Sequence, residues 1–121
     1  MAKASPHAPP DRVAAYELLL ATNLEVARKG AANPYTSVNG NMFSMLLPNG
    51  RLSLRLPAAE REQFIEEFGA RLTEQYGIVQ KEYVEVPDAV LDDIDVIRAY
   101  FEVSYRYALS LKPKPTKQAK R

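Results

Sequence analysis

The stretch from Asn41 to Pro57 constrains the fold of this chain more than any other. It reads Asn-Met-Phe-Ser-Met-Leu-Leu, then Pro-Asn-Gly, then Arg-Leu-Ser-Leu-Arg-Leu-Pro. Asn49-Gly50 accepts the positive φ values that a tight hairpin turn demands, so the two runs are predicted to pair antiparallel. Leu52, Leu54 and Leu56 alternate with Ser53 and Arg55, which predicts one buried and one solvated face. In the first run, alternation sends Phe43, Met45 and Leu47 one way and Met42, Ser44 and Leu46 the other. Apolar side chains then fall on both faces. Met42, Phe43, Met45 and Leu47 are therefore a candidate self-association face, with cover by the N-terminal helix as the intramolecular alternative.

Around this hairpin the chain alternates helices with strands. Val13, Tyr16, Leu20, Leu24 and Ala27 recur at helical spacing, widened by Leu19, and predict a helix from about Arg12 to the mid-twenties capped by Asp11. Asn33-Pro34 and Asn39-Gly40 are turn signals, and the residues between them read as a short strand pairing with Met42–Leu47. Pro57 opens a second helix whose inward stripe is Phe64, Ile65, Phe68 and Leu72, ended by Gly69. A strand is predicted from about Lys81 to Val86 and stopped by Pro87. A helical turn at Asp88–Leu91 follows, and then a long helix capped by Asp92 or Asp93, with Ile94, Ile97, Phe101, Tyr105, Ala108 and Leu109 on one face. Grouped strands with helices between the groups indicate an α+β, two-layer domain: an antiparallel sheet of about four to five strands covered by helices. Residues 1–10 are expected to be a flexible tail, 11–112 the single domain, and 113–121 a disordered basic tail.

Composition narrows the function classes. At 121 residues the chain can bury one core without staples, and its net charge of +1 creates no field that selects nucleic acid or membrane. No apolar run approaches a bilayer span and the N-terminus lacks the apolar core of a signal peptide, so a cytoplasmic location is expected. The absence of cysteine removes disulfides, thiolate metal sites and cysteine catalysis. The single histidine, His7, sits beside Pro9-Pro10 and supports no triad or metal cluster. Glycine-rich phosphate loops and nucleophile-elbow patterns are missing. The dense acidic run from Glu82 through Glu85, Asp88, Asp92 and Asp93 to Asp95 reads as helix caps and a solvated strand side rather than a cation loop. No catalytic, cofactor-binding or metal-ligating residue is assigned. Arg51, Arg55, Tyr83, Lys112 and Lys114 are the candidate contacts to a partner or to nucleic acid, since bases stack on aromatics interleaved with basic side chains.

Several of these segments resemble the TfoX/Sxy N-terminal-domain family. The matching features are Asn41-Met42-Phe43-Ser44, the run Gly50-Arg51-Leu52-Ser53-Leu54-Arg55-Leu56-Pro57, Glu82-Tyr83-Val84-Glu85-Val86-Pro87 with Leu91-Asp92, and Ser104-Tyr105-Arg106-Tyr107-Ala108 before Leu111-Lys112-Pro113. Neighbouring YjbR/MmcQ-like domains are similar in the Leu-Ser-Leu strand and the Ser-Tyr ending. The resemblance implies a curved antiparallel sheet related in shape to secretion chaperones, in bacterial regulators of natural competence that work alongside the cyclic-AMP receptor protein. It implies no catalytic residues. The expected function is a small non-enzymatic adaptor that binds a protein partner, in a transcription-related setting, with a homodimer as one arrangement. A nucleic-acid-binding module is the alternative, and an enzyme using a carboxylate, tyrosine and arginine comes third.

Overall fold

The computed structural model describes residues 8–30 and 33–113, and the described residues form four helices and one five-stranded antiparallel sheet. In chain order these are α1 (Pro10–Leu20), β1 (Tyr35–Val38), β2 (Asn41–Leu46), β3 (Leu52–Arg55), α2 (Ala58–Phe68), β4 (Arg71–Gln75), β5 (Ile78–Val86), α3 (Asp88–Leu91) and α4 (Ile94–Ser110). The strands lie in the order β1-β2-β3-β5-β4, every neighbour antiparallel, with the helices packed on the sheet as a second layer. The expected α+β two-layer class is the one observed.

Three turns set the strand order. Asn39 (φ 55°) and Gly40 (φ 77°) join β1 to β2, and Tyr76 (φ 54°) and Gly77 (φ 76°) join β4 to β5. Positive φ at both central residues matches the right-handed twist of paired strands. The β2–β3 connection is different. Gly50 donates its N–H to the Leu47 carbonyl (2.8 Å) and only Gly50 has positive φ (91°), so Pro48-Asn49-Gly50 is a three-residue loop rather than a two-residue turn. Asn49 contributes through its side chain, whose Oδ1 accepts the Arg51 N–H at 2.9 Å.

The core lies between sheet and helices. Leu52, Leu54 and Leu56 are all buried, as alternation predicts, with Leu46, Val84 and Val86 beside them and Phe64, Ile97, Phe101 and Tyr16 from the helices. Ser53, expected on a wet face, is buried as well. Its hydroxyl meets Thr73 Oγ1 at 2.7 Å, and the longer side chains of its cross-strand neighbours Met45 and Glu85 flank it.

Several boundaries differ from the sequence reading. The first helix starts at Pro10, with Pro9 rather than Asp11 at the N-cap, and Asp11 sits in its first turn. It ends near Leu20, where the Thr22 hydroxyl donates to the Leu19 carbonyl of the last turn and the Asn23 side chain accepts the Glu25 N–H beyond it. Leu24 is left 95% exposed instead of continuing a buried stripe. Leu72 belongs to β4, which the helical reading absorbed. The last helix buries Ile97, Phe101, Ser104 and Ala108, whereas Ile94 and Leu109 are exposed. Its N-cap is Asp93, accepting from the Val96 N–H. Ala8 is buried, so packing already begins inside the stretch expected as a tail; residues 1–7 and 114–121 lie outside the described residues.

Candidate functional site

A bulge in β2 organises one end of the molecule. The β1–β2 register shifts between Thr36 (opposite Ser44) and Ser37 (opposite Met42), leaving Phe43 as the extra residue. Strict alternation therefore fails at Phe43. Phe43 and Ser44 are both buried: Phe43 packs on Phe101 and Tyr105 of α4 at 5.6 and 5.7 Å between ring centroids, while Ser44 Oγ meets Tyr16 Oη at 2.7 Å and also bonds Thr36. Burial pushes the Tyr16 phenol up to about 12.

The bulge also withdraws backbone groups from the ladder, and side chains take them up. Ser104 donates to the Phe43 carbonyl at 3.1 Å. Tyr83 Oη (2.9 Å) and Arg55 Nη1 (3.3 Å) both donate to the Met42 carbonyl. The Arg55 guanidinium lies 5.7 Å from the Tyr83 ring centre and 5.8 Å from that of Tyr107, and its Nε donates to Glu82 at 2.8 Å. Tyr107 donates to the other Glu82 oxygen at 3.1 Å. With its side chain only 17% exposed, Arg55 is a clamp between β3, β5, β2 and α4.

At the opposite end of β3 a second polar chain closes the fold. Arg51 and Arg71 both reach the buried Glu85 (3.5 and 3.0 Å), and Arg51 also approaches Asp88 at 3.6 Å. Arg12 bonds Asp92 at 3.0 Å and lies 3.9 Å from Asp88. The chain of charges thus joins α1, the β2–β3 hairpin, β4, β5 and α3.

The residues singled out from sequence are thereby placed. Arg55 and Tyr83 come together in the clamp, whereas Arg51 belongs to the other end. Lys112 is exposed, its carbonyl accepting from Asn41 Nδ2 at 3.0 Å, and Lys114 lies outside the described residues. Phe43 and Leu47 are covered within the chain, and Met42 and Met45 are half-buried.

What the sequence reading missed is a groove of about 400 Å³ between α2 and α4, lined by Glu60, Gln63, Glu67, Val96, Ala99, Tyr100 and Val103. Its floor is firm because Tyr100 stacks edge-on against Phe64 and Phe68, at 5.0 and 6.1 Å between centroids. The Tyr100 hydroxyl donates to Glu67 (3.1 Å) and accepts from Gln63 (3.2 Å). Burial, then the Glu67 carboxylate, holds the Tyr100 phenol above its ordinary value. Glu60 and Glu67, the two glutamates that line the groove, form no ion pair with another described residue, so its α2 side carries uncompensated negative charge. The signal was present in sequence, as the glutamates opposite the Phe64–Phe68 stripe and the small-residue and valine positions of the last helix, but only the crossing of the two helices makes a groove of it. Among the described residues no group of His, Asp and Glu side chains is arranged to hold a metal ion, and no helix is long and apolar enough to cross a membrane. Comparison of the chain with protein-family models, with curated proteins and with solved structures finds no match.

Proposed function

We propose that this chain is a small non-enzymatic adaptor of the TfoX N-terminal-domain type, binding a protein partner in a transcription-related setting through the α2–α4 groove. The observation that supports it is the groove itself: an apolar floor of Val96, Ala99, Tyr100 and Val103 beneath glutamates that have no cation of their own among the described residues. Apolar clefts with a few directed polar groups are the usual form of a binding site, and a solvated acidic rim steers basic partners. The arginine and tyrosine that best suit nucleic acid, Arg55 and Tyr83, are spent on the clamp instead.

The test is affinity capture from extracts of the chain's own cells, with and without nuclease, by the full chain and by Ala99→Glu. Ala99 is exposed and lines the groove, so the substitution adds bulk and charge without entering the core. A partner protein retained after nuclease and lost with Ala99→Glu is the expected result. Capture that disappears with nuclease would make the chain a nucleic-acid binder. Capture indifferent to Ala99→Glu would move the partner surface elsewhere.

A further inference from the structure

Charge is segregated along this chain. Of its sixteen Lys and Arg residues, Lys112, Lys114, Lys117, Lys120 and Arg121 fall within the last ten positions and Lys3 near the start. Residues 4–111 therefore hold ten basic side chains against all fifteen Asp and Glu, a net of −5, while residues 112–121 carry +5 and no acid. The basic segment leaves the end of α4, one face of which forms a wall of the acid-rimmed groove.

We propose that residues 113–121 dock in the α2–α4 groove of their own chain. The proposal shares with the adaptor reading, and rests on, the groove being a peptide-docking surface. Reach is sufficient. From Ser110, the last residue of α4, the groove residues Val103 to Val96 lie back along the helix by roughly 11–21 Å at 1.5 Å per residue, and Lys112 just beyond it is held by Asn41. Nine residues starting at Pro113 extend to about 28 Å at the polyproline rise of ~3.1 Å. Composition fits as well. Pro113 and Pro115 restrict the backbone before binding, and aromatic-lined grooves accept such segments through ring and aliphatic contacts. Tyr100 supplies the ring, Val96 and Val103 the aliphatic walls, and Glu60 and Glu67 face incoming lysines. The segment then competes with any partner that presents a basic peptide to the same groove.

The chain contains no cysteine, so Gln118→Cys gives a single attachment site for a nitroxide label on the full-length protein. The expected result is selective loss of amide NMR signals at Val96, Ala99, Tyr100 and Val103 at low salt. That loss should reverse in 1 M salt, where the screening length falls to about 3 Å. It should also reverse in the Glu60→Gln/Glu67→Gln variant, whose remaining spectrum reports that it is folded. Signal loss spread equally to the Tyr76-Gly77 hairpin, or none at the groove, overturns the proposal. So does signal loss when isotope-labelled chains without nitroxide are mixed with nitroxide-bearing chains of natural isotope content, because the occupant is then a second copy. Partner capture separates the two readings: groove broadening with no partner captured, even by a full-length Lys114→Gln/Lys117→Gln/Lys120→Gln chain whose segment is released, sinks only the adaptor, and Ala99→Glu-sensitive capture without broadening sinks only the docked segment.

Discussion

Two tyrosines show how far identical chemistry diverges with position. Tyr16 is buried, its hydroxyl on Ser44, and its pKa is raised from 10.0 to about 12 because burial disfavours the phenolate. Folding then favours the protonated form. The stabilisation is complete below pH 10 and drains away as pH rises toward 12. The loss amounts to about 2–3 kcal/mol, since each tenfold change in a proton-binding constant is worth ~1.4 kcal/mol. Tyr16→Phe forfeits about 1 kcal/mol of hydrogen bonding at neutral pH but lacks this alkaline loss. Urea melts from pH 9 to 12 should therefore show the gap closing and then reversing, with Tyr16→Phe the more stable protein near pH 12. A constant gap across that range would place the Tyr16 hydroxyl in contact with solvent. Tyr76 is the opposite case, 95% exposed at φ 54°, a left-handed conformation that costs a bulky residue about 1–2 kcal/mol. Tyr76→Asn should raise stability by up to about 1 kcal/mol, since asparagine suits a turn of this type and no packing is lost. A drop in melting temperature would mean the ring is making a contact that the exposure denies.

At the scale of elements, the hairpin around Gly50 was legible because turn chemistry is local, and the buried Leu52, Leu54 and Leu56 followed from a period of two. The bulge at Phe43 was not legible. A run in which five of six residues from Met42 to Leu47 are apolar fits any register, so alternation had nothing polar to anchor it except Ser44, whose hydroxyl is buried on Tyr16. β4 was hidden for a related reason: Arg-Leu-Thr-Glu-Gln has one aliphatic residue, and an edge strand with a charge at either side needs no more. The groove required two helices to cross, which periodicity within each does not report. Gly50 carries a consequence at this scale, because a Cβ there would stand 2.9 Å from Arg12 Cγ, whereas one at Gly77 would meet nothing within 4 Å. Both glycines have positive φ, so alanine costs about 1–2 kcal/mol of backbone strain at each. Gly50→Ala must also displace the Arg12 stem from between the hairpin and α3, and should lose more than Gly77→Ala in the same denaturant series. Equal losses would show that Arg12 yields freely.

Across the whole molecule, sheet and helix layers are closed at both ends of β3 by charge as well as by the core. The Arg12–Asp92 and Arg51–Glu85–Arg71 contacts hold one end, and the Arg55–Glu82–Tyr107 clamp holds the other. Glu82 reports on the second closure. Burial draws its pKa up, yet the hydrogen bonds from Arg55 and Tyr107 and the charges of Arg55 and Arg61 outweigh that and hold it below 4.5. The folded state thus favours the carboxylate. Its contribution is present above the unfolded value of 4.5 and is lost as pH falls through the lower folded value, where protonation releases Arg55. Glu82→Gln keeps a hydrogen-bonding side chain of the same length but cannot titrate. At pH 7 it should be the less stable protein, with Arg55 left against two rings and the Met42 carbonyl without a counter-charge. As pH drops below 4.5 the wild-type chain should lose stability faster and the difference should close. Acid titrations followed by circular dichroism, with hydrogen exchange at Ser104 and Tyr107 as a local readout, test both halves of this expectation. Parallel acid limbs for the two proteins would mean that the α4 end is held by the Phe43, Phe101 and Tyr105 rings alone and that the clamp adds nothing to the closure.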